Sequence, residues 1–295
     1  MPGTTYPPGA PSVSGNQITV EQFLKTPSRV QRVIADLTRQ RFIAERIFAS
    51  GDAVGGAVIY DQVTASELYT DRDVQAIEAG SEFPIVTSGQ ASPKVAAVTK
   101  WGGAAVLTYE AVRRDARDIL NRELTKLRNT IVRKVDTVAI AALDAAPINT
   151  DTGTDWSDGT NGDPILDLAQ GRSVIDDADL GYVADTILIN PAQMVDLIGR
   201  KDVRDSLPRE SITGNPIANG QLNGFMGYTW YVTNRVAAGT AYILASTMAG
   251  SLRDELPLYS RVIDQQERER WLVQAARVTV PIVTDPKAVL KLTGL

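Results

Sequence analysis

The chain has 295 residues, 43% hydrophobic and 22% charged, with a formal net charge of −5. That is the make-up of a folded chain with enough apolar material for one large core or two medium ones. It contains no Cys and no His, which excludes disulfides, thiol nucleophiles, His-assisted triads and Cys/His zinc sites and leaves carboxylate, Lys, Tyr or Arg chemistry.

The acidic balance argues against a general grip on nucleic-acid phosphates. The longest unbroken apolar run, Val138 to Leu143, falls far short of the roughly 20 residues that cross a bilayer, so no membrane partner is expected. The first residues, MPGTTYPPGAPSVSGNQ, lack the basic start and apolar core of a secretory signal.

Residues 1–17 are rich in Pro, Gly, Ser and Thr and read as an extended arm. Thr19 to Phe48 reads as two helical pieces broken at Thr26-Pro27, the second opening on a Ser28 cap. Arg29, Arg32, Arg39, Arg41 and Arg46 decorate that second piece. They fit a solvated polar face, or an arm packed on a neighbouring subunit. Residues 51–104 change character. GDAVGGAVIYDQVTASELYT is β-rich, a charged middle holds Asp71, Arg72, Asp73, Glu78 and Glu82, and FPIVTSGQASPKVAAVTKWGGAAV is β-rich again. Two strand runs around a polar tip predict a long hairpin, with too little apolar content to bury both faces alone.

A long helix follows. Thr108 to Ala146 reads TYEAVRRDARDILNRELTKLRNTIVRKVDTVAIAALDAA, without Gly or Pro, and Pro147 ends it. Apolar residues fall at Val112, Ala116, Ile119/Leu120, Leu124, Leu127, Ile131, Val135, Val138 and Ala142, steps of three or four that mark one helix face. At 1.5 Å per residue such an element is a beam of roughly 55–60 Å.

Asn149 to Asp163 carries Asp151, Asp155, Asp158 and Asp163. The spacing fits no EF-hand or nonapeptide calcium pattern, and a solvated, turn-rich loop is expected. Asp163-Pro164 opens a short helix through Ile175. Thr186 to Ile189 reads as a strand, followed by an Asn190 cap with Pro191 at the first helical position. Residues 201–223 form a polar loop. GFMGYTWYVTNRV has a Gly-flanked strand pattern, and Ala241 to Ala245 reads as a buried strand. Strand, helix and strand in this order predict a mixed α+β unit. Glu267 to Arg270 is a solvated charge run, leading into LVQAARVTVPIV and DPKAVLKLTGL.

Little in the chain carries chemistry. Gly102-Gly103 and Gly55-Gly56 are isolated pairs that read as turns or bulges, not as a phosphate loop. GNPIANGQLNG follows no strand and opens no helix. Asp176-Asp177-Ala178-Asp179 is a paired-carboxylate candidate, or a cap at a helix end. Trp101, Trp156, Trp230 and Trp271 are scattered and read as core or interface anchors. No catalytic residue, metal site or cofactor is expected.

The order of arm, β-rich loop, long helix, TILINPAQMVDLIG, GFMGYTWYVTNRV and DPKAVLKLTGL resembles the major capsid proteins of tailed bacteriophages. The resemblance implies an α+β, HK97-like capsid fold. It would have an N-terminal arm at 1–50, an extended loop at 51–104, a peripheral domain at 105–179 and 263–295 carrying the spine helix 108–146, and an axial domain at 180–262. It also implies a structural protein, not an enzyme, whose copies self-assemble as hexamers and pentamers into an icosahedral shell. That shell would enclose double-stranded DNA without sequence-specific binding. The setting implied is the virion capsid, with the host cytoplasm during assembly. A separate scaffold, a portal and decoration proteins are the further partners implied.

On that resemblance, Arg29, Arg32, Arg39, Asp71, Arg72, Asp73, Glu78 and Glu82 are assembly-interface candidates. Gly51, Gly55, Gly56, Gly102 and Gly103 are hinge candidates, since Gly tolerates many backbone states. Some relatives cross-link a loop Lys to a neighbour's Asn. The tip here, Asp71 to Gln90, has no Lys, so that chemistry is not carried over. Three other readings stand beside this one: an encapsulin-like nanocompartment shell, a carboxylate-dependent hydrolase using the Asp clusters, and a tube or decoration protein.

Overall fold

The computed structural model describes residues 24–25, 42–63, 74–85, 93–114, 117–206 and 224–295. The chain divides into two compact units. One comprises Met1–Arg41, Lys100–Arg133 and Leu256–Arg277, the other Phe42–Thr99, Lys134–Glu255 and Val278–Leu295. The arm's residues 1–17 lie outside the described residues, as do residues 207–223; of the polar loop expected at 201–223, Lys201–Ser206 is helical instead. No described helix is long and apolar enough to cross a membrane.

In chain order the described elements begin with α1 (Ala44–Ile47), β1 (Ala49–Asp52), β2 (Ala57–Tyr60), β3 (Lys94–Ala97), β4 (Thr99–Thr108) and α2 (Tyr109–Arg113). Next come α3 (Arg117–Ala145), β5 (Asn149–Thr152), α4 (Pro164–Asp176), β6 (Thr186–Ile189), α5 (Pro191–Gly199) and α6 (Lys201–Ser206). The last are β7 (Thr229–Val232), β8 (Thr240–Leu244), β9 (Ser251–Gln265), β10 (Arg270–Ile282) and β11 (Val289–Thr293). One sheet has the order β1-β9-β10-β4, a second β5-β11-β8-β6-β7, and β2 pairs with β3 alone.

The long helix is present with a shorter span than its periodicity predicts. Thr108 ends β4 and caps α2, its side chain accepting from the Ala111 N–H at 3.4 Å. Arg114 leaves helical geometry with φ −78° and ψ 6°. The continuous helix is α3, 29 residues and thus about 43 Å long. Its buried stripe runs Leu124, Leu127, Ile131, Val135, Ala139, Ile140 and Leu143. A period of 3.6 carries the stripe onto Ala139 and Ile140 and leaves the predicted Val138 and Ala142 only partly covered.

In the first unit, a 3-10 turn at Gln266–Arg268 joins β9 to β10, with Glu269 in the left-handed region at φ 45°. The Glu269 carbonyl accepts from the Tyr109 N–H at 2.9 Å. Gly102 lies where β4 meets β10, and a Cβ there would stand 2.6 Å from Ala276 Cβ and 2.7 Å from the Ala275 carbonyl. Gly103 meets Leu127 of α3 in the same way, at 3.0 Å. Tyr109, Asp264 and Trp271 line a hollow of about 250 Å³, where the Tyr109 hydroxyl donates to the Asp264 carboxylate. That bond, first among the causes, pushes the phenol up to about 12.

The second unit is built on the five-stranded sheet. β8 runs antiparallel to both β11 and β6, with Ile243 opposite Leu290 on one side and Ile187 on the other. β6 and β7 are parallel, as are β11 and β5. All four residues of β6, TILI, are buried, as expected of a strand covered on both faces. Gly171 lets α4 approach the sheet: a Cβ there would lie 2.6 Å from Ile243 Cδ1 and 2.9 Å from Leu290 Cδ2. Trp156, Leu168, Ile187, Leu197, Tyr228, Ile243 and Leu290 form the centre of the core. Beside it Tyr242 donates to Asp144 of α3 at 2.5 Å, and Lys291 reaches the same oxygen at 2.6 Å.

The stretch 149–163 differs from the solvated loop its composition predicts. Asn149–Thr152 is an edge strand held in register by Leu290–Thr293, so a polar tetrapeptide becomes β because its neighbour offers a ladder.

Candidate assembly surface

Glycines set the local geometry around the described parts of the loop between β1 and β4. Gly55 and Gly56, at φ 80° and 77°, turn the chain into β2. Gly56 then accepts from the Val98 N–H at 2.9 Å, closing the β2–β3 ribbon. Gly80, at φ 91°, lies in a turn closed by the Ser81 N–H donating to the Glu78 carbonyl at 3.0 Å. At the root, buried Gln62 donates to the Val283 carbonyl at 3.3 Å, and the Val63 N–H donates to Thr284 at 2.8 Å. Lys94 donates to the Gln62 side-chain oxygen.

Beyond that root the loop offers apolar side chains to solvent. Ile59 and Val95 face each other across the ribbon, yet stay 73% and 68% exposed. Val54, Val74, Phe83 and Ile85 are exposed as well. Glu78 and Glu82 sit among them, exposed. A two-stranded ribbon is marginal in water by itself, and this many large apolar side chains left exposed on one loop fit a surface that meets another. The other charged candidates, Arg29, Arg32, Arg39, Asp71, Arg72 and Asp73, lie outside the described residues.

The glycines divide into two kinds. Gly55 and Gly56 hold positive φ with open space around a Cβ. Gly51, Gly102 and Gly103 lie inside strands, and at Gly102 the near neighbours include backbone atoms.

Where the arm segment enters the second unit, it is tied down at several points. The Ala44 N–H donates to Asp136 Oδ1 at 3.1 Å. Thr247, strained at φ 64°, donates its N–H to the Ile47 carbonyl at 2.9 Å. The Ala49 N–H reaches the Gly250 carbonyl at 3.0 Å, and β1 then pairs in parallel with Ser251–Asp254. Phe42, Ala44, Ile47 and Phe48 are all buried. Asp136 is 5% exposed. Burial pushes its carboxyl up to about 6, against the pull of the Ala44 and Ile43 N–H groups.

The acidic clusters serve turns and caps. Asp155 accepts from the Ser157 N–H and hydroxyl at 2.9 and 2.7 Å, Asp158 from the Thr160 N–H at 2.8 Å, and Asp163 from the Leu166 N–H at the start of α4 at 3.0 Å. Arg200 clasps the same loop through the Asp158 and Gly162 carbonyls. Asp176 pairs with Arg172, and Asp177 accepts from Ser173. Among the described residues, no group of three or more carboxylates is placed to hold a metal ion.

The family model of phage capsid proteins matches residues 91–292, from the end of the loop through the long helix to β11. The chain belongs to the phage capsid protein family. No curated protein matches it. Solved structures that it resembles include a virus-like particle from Pyrococcus furiosus, at TM-score 0.62 and 12% identity over 90% of this chain and 98% of that one. A Mycobacterium phage Bobi chain matches at TM-score 0.61 and 15% identity over 91% and 98%. The capsid of cyanophage P-SCSP1u matches at TM-score 0.62 and 11% identity over 85% and 88%. At these identities the likeness is one of fold. This phage capsid protein is thus the α+β structural protein that its order of elements resembles, a major capsid protein that forms a shell.

Two features escape a reading of the sequence: buried Asp136 and the exposed apolar side chains of the loop. For Asp136 a signal exists. It lies four residues before Ile140, on the apolar stripe of α3, where an unpaired charge is costly. For Phe83 and Ile85 there is none, because their exposure follows from the fold.

Proposed function

We propose that copies of this chain gather as hexamers and pentamers into an icosahedral shell around double-stranded DNA. Within it the extended loop lies across an adjacent subunit and the arm reaches under another. The observation that carries this reading is the loop, which presents Ile59, Phe83, Ile85 and Val95 to solvent although the ribbon cannot bury them itself. Heterologous contacts that close into rings need such reaching elements. Residues 180–262 act as the axial domain, 105–179 with 263–295 as the peripheral domain. Glu78, Glu82, Asp71, Arg72 and Asp73 serve contacts of the loop tip with the neighbour, and Arg29, Arg32 and Arg39 serve the arm. Movement of the loop is taken up at Gly55 and Gly56, with Gly51, Gly102 and Gly103 as strand positions that follow. The role is mechanical and carries no catalysis; assembly takes place in the host cytoplasm, with scaffold, portal and decoration proteins as separate partners.

The test is the content of the particles. Shells purified from productive infection and treated with external nuclease should release double-stranded DNA of one length. Shells that hold a folded cargo protein and no DNA would overturn the phage-shell reading in favour of a nanocompartment.

A further inference from the structure

Asp136 is the one strongly buried carboxylate in the described part of α3, and it faces the first turn of α1. Its Oδ1 accepts the Ala44 N–H at 3.1 Å. The charged groups that act on it are Glu45 of α1, which disfavours its charge, and Arg235 of the segment after β7, which favours it. Phe42, Ala44, Ile47, Phe48 and Ala53 are buried around the same segment, and backbone bonds from Ile47, Ala49 and Ala53 to Thr247, Gly250 and Asp254 pin its middle and its C-terminal end. We propose that Asp136 and α1 form a proton-sensitive latch. With Asp136 neutral, the segment 42–53 stays closed on α3; with Asp136 ionised, it opens far more readily.

The reason is the burial of the charge. When the segment is closed, Asp136 is shut away from water and its carboxyl holds its proton up to about pH 6. Once the segment lifts, water reaches Asp136 and the carboxyl returns toward its ordinary value of 3.8. The closed state therefore binds the proton more tightly than the open one. Closure is strongest below pH 4 and weakens as pH rises through 4 to 6, the reverse of the usual salt-bridged Asp. From these two values the opening equilibrium rises about tenfold between pH 5 and pH 7.5. Because the segment joins the arm to the loop, a chain at low pH would hold both roots fixed, and at neutral pH would release them. The latch belongs to a single chain, so its failure would leave the shell reading untouched.

Hydrogen exchange of the full-length chain, read by mass spectrometry on peptides spanning 42–53, tests it. Rates are corrected for intrinsic pH dependence, and the β11 peptide 289–293 serves as reference. Protection of 42–53 should fall about tenfold from pH 5 to pH 7.5 while the reference stays level. Asp136→Asn, neutral and of the same shape, should abolish the step and hold protection at every pH above the wild-type pH 5 level, at the level the wild type reaches only below pH 4. A flat wild-type profile, or a step that survives in Asp136→Asn, overturns the latch. If Asp136→Asn does not fold, Glu45→Gln supplies the answer: removing the like charge should move the step to lower pH, and an unmoved step overturns the proposal.

Discussion

Replacing Phe83 and Ile85 together by Ser should raise the protein concentration needed for assembly without weakening the subunit. The two side chains are 78% and 82% exposed, so neither supports the core of its own chain. Fully burying such a side chain is worth about 1.5–3 kcal/mol. A contact that covers the exposed four-fifths of each would contribute about 3 kcal/mol for the pair, which is roughly 100-fold in that contact's equilibrium constant. Light scattering across a concentration series reads the assembly threshold, and a urea titration of the dissociated subunit reads its stability. The double variant should need far more protein to assemble while its urea midpoint stays put. Assembly at the wild-type threshold would show that these side chains meet no neighbour, and a lowered midpoint would place them in the chain's own core.

Asp167→Ala should cost about 2–4 kcal/mol by urea denaturation. Its Oδ2 accepts from the Trp156 indole N–H at 2.9 Å and from the Thr154 N–H and hydroxyl at 2.9 and 2.8 Å, and an orphaned buried donor costs about 1–3 kcal/mol. Ile131→Pro in α3, at a position 3% exposed, should lose about 3 kcal/mol or more of helix. It should yield no particles in negative-stain images; normal shells would count against the helix as a beam. Gly102→Val should destabilise by about 1–3 kcal/mol in thermal denaturation, because its Cβ alone would press on the Ala275 carbonyl at 2.7 Å. A midpoint equal to wild type would show that β4 and β10 can part there.

The elements that depend on local chemistry were legible in the sequence. The long helix shows in its period and its freedom from Gly and Pro. Asn190-Pro191 marks the step from β6 to α5, where Asn190 accepts from the Ala192 N–H at 2.9 Å. Asp163-Pro164 likewise opens α4. What escaped depends on neighbours distant in sequence. β9, SLRDELPLYSRVIDQ, mixes five charges with a Pro and lacks clean alternation, yet it runs for 15 residues between β1 and β10 because both offer it a ladder. β5 is polar and becomes a strand only beside β11. Arg128 and Asp136 both fall on the buried stripe of α3, and the fold brings Trp156 and Thr154 to Asp167 from a distance in sequence.

Copies of this chain are expected to close into a shell, and electron microscopy of the expressed protein, with scaffold supplied if it is needed, reads that out. Closed particles with hexameric and pentameric clusters, and loop density lying across the adjacent subunit, are the predicted result. A monodisperse small oligomer under the same conditions, with its loop folded back on its own chain, would contradict the account.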